Sequence, residues 1–191
     1  MLWNPQAPAI RQKARNFLHL IAQGQAMFAY VASPNSDVTL AITRQDGTII
    51  LNAAARQISW QGSLLQGGDY YLTVHGGASS ENFSLSVTIP SRIQFAAGTD
   101  ATTLSGKTAA GYNVSYTVSA AKGQNMSVDL GSLSGKASLS IYGFTDGQQY
   151  LHSETGQTSY HFSLPSTQDY IIVVVPAASN VVSYTLTVKI Q

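Results

Sequence analysis

The stretch Phe83-Ser84-Leu85-Ser86-Val87-Thr88-Ile89 alternates apolar and polar residues without a break. It recurs about a hundred residues later as Tyr184-Thr185-Leu186-Thr187-Val188-Lys189-Ile190. Successive side chains of a strand point to opposite faces, so a period of two marks a strand with one buried face. Moving outward, the same correspondence continues. Val38-Thr39-Leu40-Ala41-Ile42 before Asp46-Gly47 matches Ala137-Ser138-Leu139-Ser140-Ile141 before Asp146-Gly147. Ser59-Trp60 and Asp69-Tyr70 match Ser159-Tyr160 and Asp169-Tyr170, and Ala22-Gln23-Gly24-Gln25-Ala26-Met27 matches Ala121-Lys122-Gly123-Gln124-Asn125-Met126. The spacing drifts by a residue or two, as loop insertions produce. A repeat of this length is two copies of a whole domain, not a solenoid of short units.

The expected fold is therefore all-β: two tandem antiparallel β-sandwich (jelly-roll-like) domains, 1–90 and 91–191. Pro90-Ser91 reads as a very short linker that should hold them semi-rigidly, end to end. Asp46-Gly47 and Asp146-Gly147 are hairpin turns, and Gly24 and Gly123 mark a second tight turn in each copy. Ile10 to Ile21 has a helical flavour, but its repeat partner alternates, which predicts a strand there too.

Only 10% of residues are charged, and the net charge is +1. No charge field exists to gather nucleic acid or acidic ligands. Cysteine is absent, which excludes disulfides and thiolate chemistry. No apolar run approaches the length of a membrane span, and the first residues lack the pattern of a signal peptide. The weakly charged, hydroxyl-rich surface fits an extracellular or cell-surface protein.

Copy two opens on Arg92-Ile93-Gln94-Phe95 and Leu104-Ser105-Gly106, and continues through Gly123-Gln124-Asn125-Met126 and Leu139-Ser140-Ile141-Tyr142-Gly143. It then carries Asp146-Gly147, Leu164-Pro165 and Asp169-Tyr170, and closes on Tyr184-Thr185-Leu186-Thr187-Val188. This pattern resembles the bacterial pre-peptidase C-terminal (PPC) domain, a β-sandwich found beside secreted peptidases. The resemblance covers all of copy two and most of copy one. It implies an accessory role in secretion, targeting or attachment. Related clostridial modules bind collagen and use calcium near the N-terminal edge. Here that edge offers only Asp100 as an acid, so the calcium role does not carry over, and no cofactor is expected.

No chemistry-bearing constellation stands out. His19, His75, His152 and His161 lack metal-ligand spacing. No Gly-x-Ser-x-Gly elbow is present, and no acid cluster suggests a calcium loop or a glycosidase pair. A non-enzyme is expected. Asp46 with Asp146 and Asp69 with Asp169 read as turn caps. Trp60 and Tyr160 could stack on a sugar, but they share a face with apolar neighbours and read as core. Arg11, Lys13 and Arg15 read as a solvated strand edge.

The two copies differ in one informative way. In copy two, the segments around Gly123 place Tyr116, Val118, Ala120, Met126, Val128 and Leu130 inside, and Thr117, Ser119, Ser127 and Asp129 outside. Read as one hairpin and transferred to copy one, the outer face becomes Leu18, Leu20, Phe28 and Tyr30. Such an apolar face is a candidate partner or assembly surface, unless a loop or the N-terminal segment covers it. A register shift of one residue would exchange the faces. Copy one is also expected to lack a first strand, since Met1 to Asn16 do not match the Arg-Ile-Gln-Phe opening. A strand from upstream residues or from a neighbour could fill that gap. The function expected is adhesion or self-assembly through strand edges and this face. Partners would be further copies or another extracellular protein. The alternative is a polysaccharide- or protein-binding targeting module accessory to a secreted hydrolase.

Overall fold

Strands form wherever the alternation places them. In a computed structural model, the protein is described over residues 14–35, 37–76, 82–134, 136–177 and 180–191, with the side chains of 14–20 outside that description. The chain divides into two compact units between Ile89 and Pro90. Among the described residues no helix is long and apolar enough to cross a membrane.

The first unit contains β1 (Ala14–Ile21), β2 (Gln25–Ala32), β3 (Val38–Arg44), β4 (Ile49–Leu51), β5 (Ser59–Leu64), β6 (Gly68–Gly76) and β7 (Ser84–Thr88). They form two antiparallel sheets, β1-β6-β3-β4 and β5-β2-β7. Met27, Ala29 and Val31 of one sheet and Leu40, Ile42, Tyr70, Leu72 and Val74 of the other belong to one buried cluster. That shared cluster is what makes the unit a sandwich.

The second unit contains β8 (Ser91–Arg92), β9 (Ala101–Lys107), β10 (Val114–Ala120), β11 (Asn125–Ser134), β12 (Ala137–Gly143), β13 (Gln149–Leu151), β14 (Ser159–Ser163), β15 (Gln168–Pro176) and β16 (Ser183–Ile190). Its sheets are β13-β12-β15-β10-β8 and β14-β11-β16-β9. All pairings are antiparallel except β8 on β10. The six residues expected inside, Tyr116 through Leu130, all lie in its core. Ser91 belongs to β8 and is not part of a linker.

Specific contacts recur in both units. Tyr70 donates its hydroxyl to the Gln66 carbonyl at 2.6 Å, and Tyr170 to the Ser166 carbonyl at 2.7 Å, which ties the chain to the start of each strand. Asp46 accepts from Thr48 N–H, and Asp146 from Gln148 N–H, both at 3.0 Å, with Gly47 and Gly147 at positive φ. The Thr48 bond, with Arg44 nearby, holds the Asp46 carboxyl below its ordinary value. Burial works to raise Asp146, but hydrogen bonds from Gln148, Gln168 and Tyr150 outweigh it and the carboxyl is lowered. Asp169, expected as a turn cap, instead holds Arg92 through two bonds of 3.2 and 2.5 Å. That pair pins β8 beside β10, where the Ile93 amide then bonds Thr117 O at 2.8 Å.

Candidate functional site

The sandwich topology corrects the expected hairpin face. Strands β1 and β2 are consecutive but lie in opposite sheets, as do β10 and β11. The Gly24 and Gly123 turns therefore arch between sheets, each anchored by a glycine N–H to Leu64 O (2.7 Å) or Leu164 O (2.8 Å). Leu18 and Leu20 are consequently on a different sheet from Phe28 and Tyr30, and the four do not form one surface.

Register corrects it a second time. Leu18 stands opposite Tyr70, and Val118 opposite Tyr170, so Leu18 takes the backbone position of a core residue of copy two. Between Leu18 and Ile21 the strand slips by a bulge that β10 lacks, and Leu20 falls within it. The side chains of Leu18, Leu20 and His19 lie outside the described residues. So do Arg11 and Lys13, and most of the segment on which the missing first strand was expected. Among the described residues, β7 pairs only with β2, whereas its counterpart β16 pairs with both β11 and β9.

Phe28 and Tyr30 do share an outer face. Their neighbours Met27, Ala29 and Val31 point into the core, so the alternation along β2 sends Phe28 and Tyr30 outward, with Tyr30 49% exposed. The ladder fixes what surrounds them. Phe28 stands between Gln61 of β5 and Thr88 of β7, and Tyr30 between Ser59 and Ser86. These six residues, with Trp60 and Ala29, line a groove of about 300 Å³. Among the described residues, no Asp, Glu, Lys, Arg or His lines it.

Copy two is the internal control. Ser127 and Asp129 occupy the positions of Phe28 and Tyr30, bracketed by His161 with Lys189 and by Ser159 with Thr187. Several of its polar groups are already engaged: Ser127 Oγ bonds His161 Nδ1 at 2.7 Å, and Ser159 donates to Asp129 at 2.5 Å. Lys189 lies 3.7 Å from Asp100, which also accepts from Gln191. The same sheet face thus carries paired polar side chains in one unit and an aromatic groove in the other.

Trp60 belongs to both worlds. Its indole packs against the core and lies over Gly62, where an added Cβ would stand 2.5 Å from Cζ2. In copy two the equivalent pair is Tyr160 and Phe162, with ring centroids 5.2 Å apart and Phe162 stacked in turn on Tyr150. The larger indole is accommodated by the smaller neighbour, so the two positions change together. Reading Trp60 and Tyr160 as packed side chains agrees with these contacts, and Trp60 in addition lines the groove.

The described residues hold no group of three His, Cys, Asp or Glu placed to bind a metal. His152 approaches Glu154 at 4.0 Å on an exposed turn, and neither is among the residues lining the groove.

No protein-family profile matches the chain, and no curated protein sequence matches it. Among solved structures, it is similar to PliG of Aeromonas hydrophila, a periplasmic lysozyme inhibitor of g-type lysozyme. The identity is 25%, over 53% of this chain and 96% of that one, with a TM-score of 0.48. The Salmonella Typhimurium PliG matches at 19% identity over 52% and 96%, with a TM-score of 0.41. A PliG mutant from Escherichia coli matches at 21% over 53% and 97%, with a TM-score of 0.43. These likenesses are too distant to carry a function to this chain.

Proposed function

We propose that this chain is a non-catalytic extracellular adhesion module of two PPC-like sandwiches, and that it holds its partner on the outer face of β5-β2-β7. One observation carries the reading: Phe28 and Tyr30 stand outward where the duplicate unit has Ser127 and Asp129. Aromatic rings on a solvated sheet face oppose the ordinary polarity of such a face, and they mark contact surfaces. The hydroxyl-rich, nearly neutral composition supports an extracellular setting. Self-assembly loses its main support, because the four-residue apolar face reduces to two side chains. Two outward rings, burying about 150–250 Å² each at most, fall far short of the 1,000 Å² or so that a stable protein interface requires.

The reading is tested by retention of the 191-residue protein on surfaces coated with cellulose, chitin, xylan or fibrillar collagen. The comparison is the Phe28→Ser/Tyr30→Asp variant, which installs the residues of copy two. Retention on at least one surface, lost in the variant, supports the reading. Equal retention of both proteins, or none at all, overturns it.

A further inference from the structure

We propose that one loop end of the second unit seats on an anionic lipid surface. Tyr112, Leu133 and Val181 would enter the headgroup layer, and Lys107 and Lys136 would meet the headgroup charge. This contact is independent of the adhesion face on β5-β2-β7. Three connections cross between the two sheets of the second unit: β9 to β10, β11 to β12, and β15 to β16. The ladders place all three at the same end. Lys107 and Ser134 both stand opposite Ser183, Val114 stands opposite Val174, and Ala137 opposite Pro176. Hydrogen bonds brace them against one another. Thr108 N–H donates to Val182 O at 2.9 Å, Val182 N–H to Thr108 Oγ1 at 3.0 Å, Ser183 N–H to Ser134 Oγ at 3.2 Å, and Ala177 N–H to Lys136 O at 2.8 Å. On this braced end large apolar side chains stand in water: Leu133 is 73% exposed, Tyr112 47% and Val181 46%. Lys107 and Lys136, on the same connections, are exposed as well.

The duplicate unit shows that the fold does not require these residues. Val31 pairs with Leu85 as Leu130 pairs with Leu186, so three residues on, the exposed Pro34 takes the place of Leu133. Val38 and Ala137 open equivalent strands, so the exposed Asp37 takes the place of Lys136. A proline and an acid in one unit are thus a leucine and a base in the other. Through 107–113, 133–136 and 177–182 the sequence holds two lysines and no Asp or Glu. Lysines are drawn to the negative potential of an anionic bilayer, and aromatic and aliphatic side chains bury in its interfacial layer. A protein partner needs a continuous contact of about 1,000 Å² or more. Here the apolar side chains stand singly on three connections, and a fluid lipid layer closes around separate side chains without a matching shape. The chain enters the unit at β8, an edge of one sheet, whereas Leu133 and Val181 adjoin β11 and β16, inner strands of the other. Both side chains keep their exposure in the whole chain. So few insertions and charges make the contact reversible and sensitive to salt.

The test is flotation of the full 191-residue protein with lipid vesicles. The vesicles are phosphatidylcholine alone, or phosphatidylcholine and phosphatidylglycerol in equal parts. At low salt the wild type should float with the mixed vesicles, and about tenfold less or worse with phosphatidylcholine alone. Leu133→Ser/Val181→Ser should lower partitioning into the mixed vesicles about tenfold or more. Lys107→Gln/Lys136→Gln should lower it by a similar factor. Thermal unfolding of both loop variants should match wild type, since the exchanged side chains are exposed. Phe28→Ser/Tyr30→Asp should float like wild type, which separates this contact from the adhesion face. Failure to float with the mixed vesicles overturns the proposal, as does flotation that Leu133→Ser/Val181→Ser leaves unchanged. Neither outcome bears on retention by the coated surfaces. Concentration-dependent dimerisation without lipid, abolished by Leu133→Ser/Val181→Ser in sedimentation, also overturns it, because the loop end then meets a second copy.

Discussion

Replacing Gly62 by Ala tests the packing that shapes the groove from beneath. The new Cβ would lie 2.5 Å from Trp60 Cζ2 and 2.8 Å from Cη2, against about 3.5–4.0 Å for ordinary carbon contacts. The rigid indole must therefore tilt away from the core it packs on. Overfilling of this kind costs about 1–3 kcal/mol. Backbone entropy acts the other way, because Gly→Ala in a strand favours folding by about 0.5–1 kcal/mol. The net expectation is a loss of about 1–2 kcal/mol, or a fall in Tm of roughly 4–15 °C for a unit of this size. Hydrogen exchange of core amides such as Met27 in β2 and Leu72 in β6 follows the unfolding of the first unit apart from the second, with or without Trp60. In a Trp60→Ala background the added Cβ meets none of these atoms, and Gly62→Ala should become neutral or stabilising. Denaturant titration of the single variants and the Trp60→Ala/Gly62→Ala double variant should give a coupling of at least about 1 kcal/mol. An equal loss in both backgrounds would refute the assignment of Trp60 to the space above Gly62.

Other expectations concern the second unit. The Tyr116 and Tyr184 hydroxyls bond each other at 2.7 Å in the core, and burial followed by that bond pushes the Tyr184 phenol well up. Removing either hydroxyl strands the other and should cost about 1–3 kcal/mol, whereas Tyr116→Phe/Tyr184→Phe should lie closer to wild type than the sum of the singles, as measured by guanidinium unfolding. Arg92→Ala should free β8, seen as faster hydrogen exchange of the Ile93 amide with the amides of β12 unchanged; equal acceleration of both would contradict the pinning role. The lowered Asp146 carboxyl contributes stability above the ordinary carboxylate range, and that stability is lost as pH falls through its lower folded value. Asp146→Asn should flatten the acid limb of the second unit's Tm between neutral pH and about pH 2, with the difference from wild type shrinking as pH falls.

Much of this architecture was legible in the alternation, and the failures have physical reasons. Strands such as Ser84–Thr88 and Ser183–Ile190 show one face buried and the other open, so period two identifies them directly. The inner faces of β10 and β11 were read correctly for the same reason. Sheet membership was not legible. A short glycine turn looks alike whether it joins paired neighbours or arches across a sandwich, and the arch separated Leu18 and Leu20 from Phe28 and Tyr30. The bulge before Ile21 was also silent, because one extra residue inside a strand leaves composition untouched while shifting the pairing register of the residues upstream of it. The flanking residues Ser59, Gln61, Ser86 and Thr88 come from two strands distant in sequence, and only the ladder brings them around the aromatic pair. The pairing of Arg92 with Asp169, 77 residues apart, needed the fold for the same reason.

The most direct test of the central claim is an amide chemical-shift titration of the isotopically labelled protein with a soluble fragment of whichever coated surface retains it. Saturable shifts confined to Phe28, Tyr30, Ser59, Gln61, Ser86, Thr88 and their immediate neighbours, with the Ser127 face unmoved, are the predicted result. Shifts centred on the second unit, or none at millimolar fragment, would contradict it.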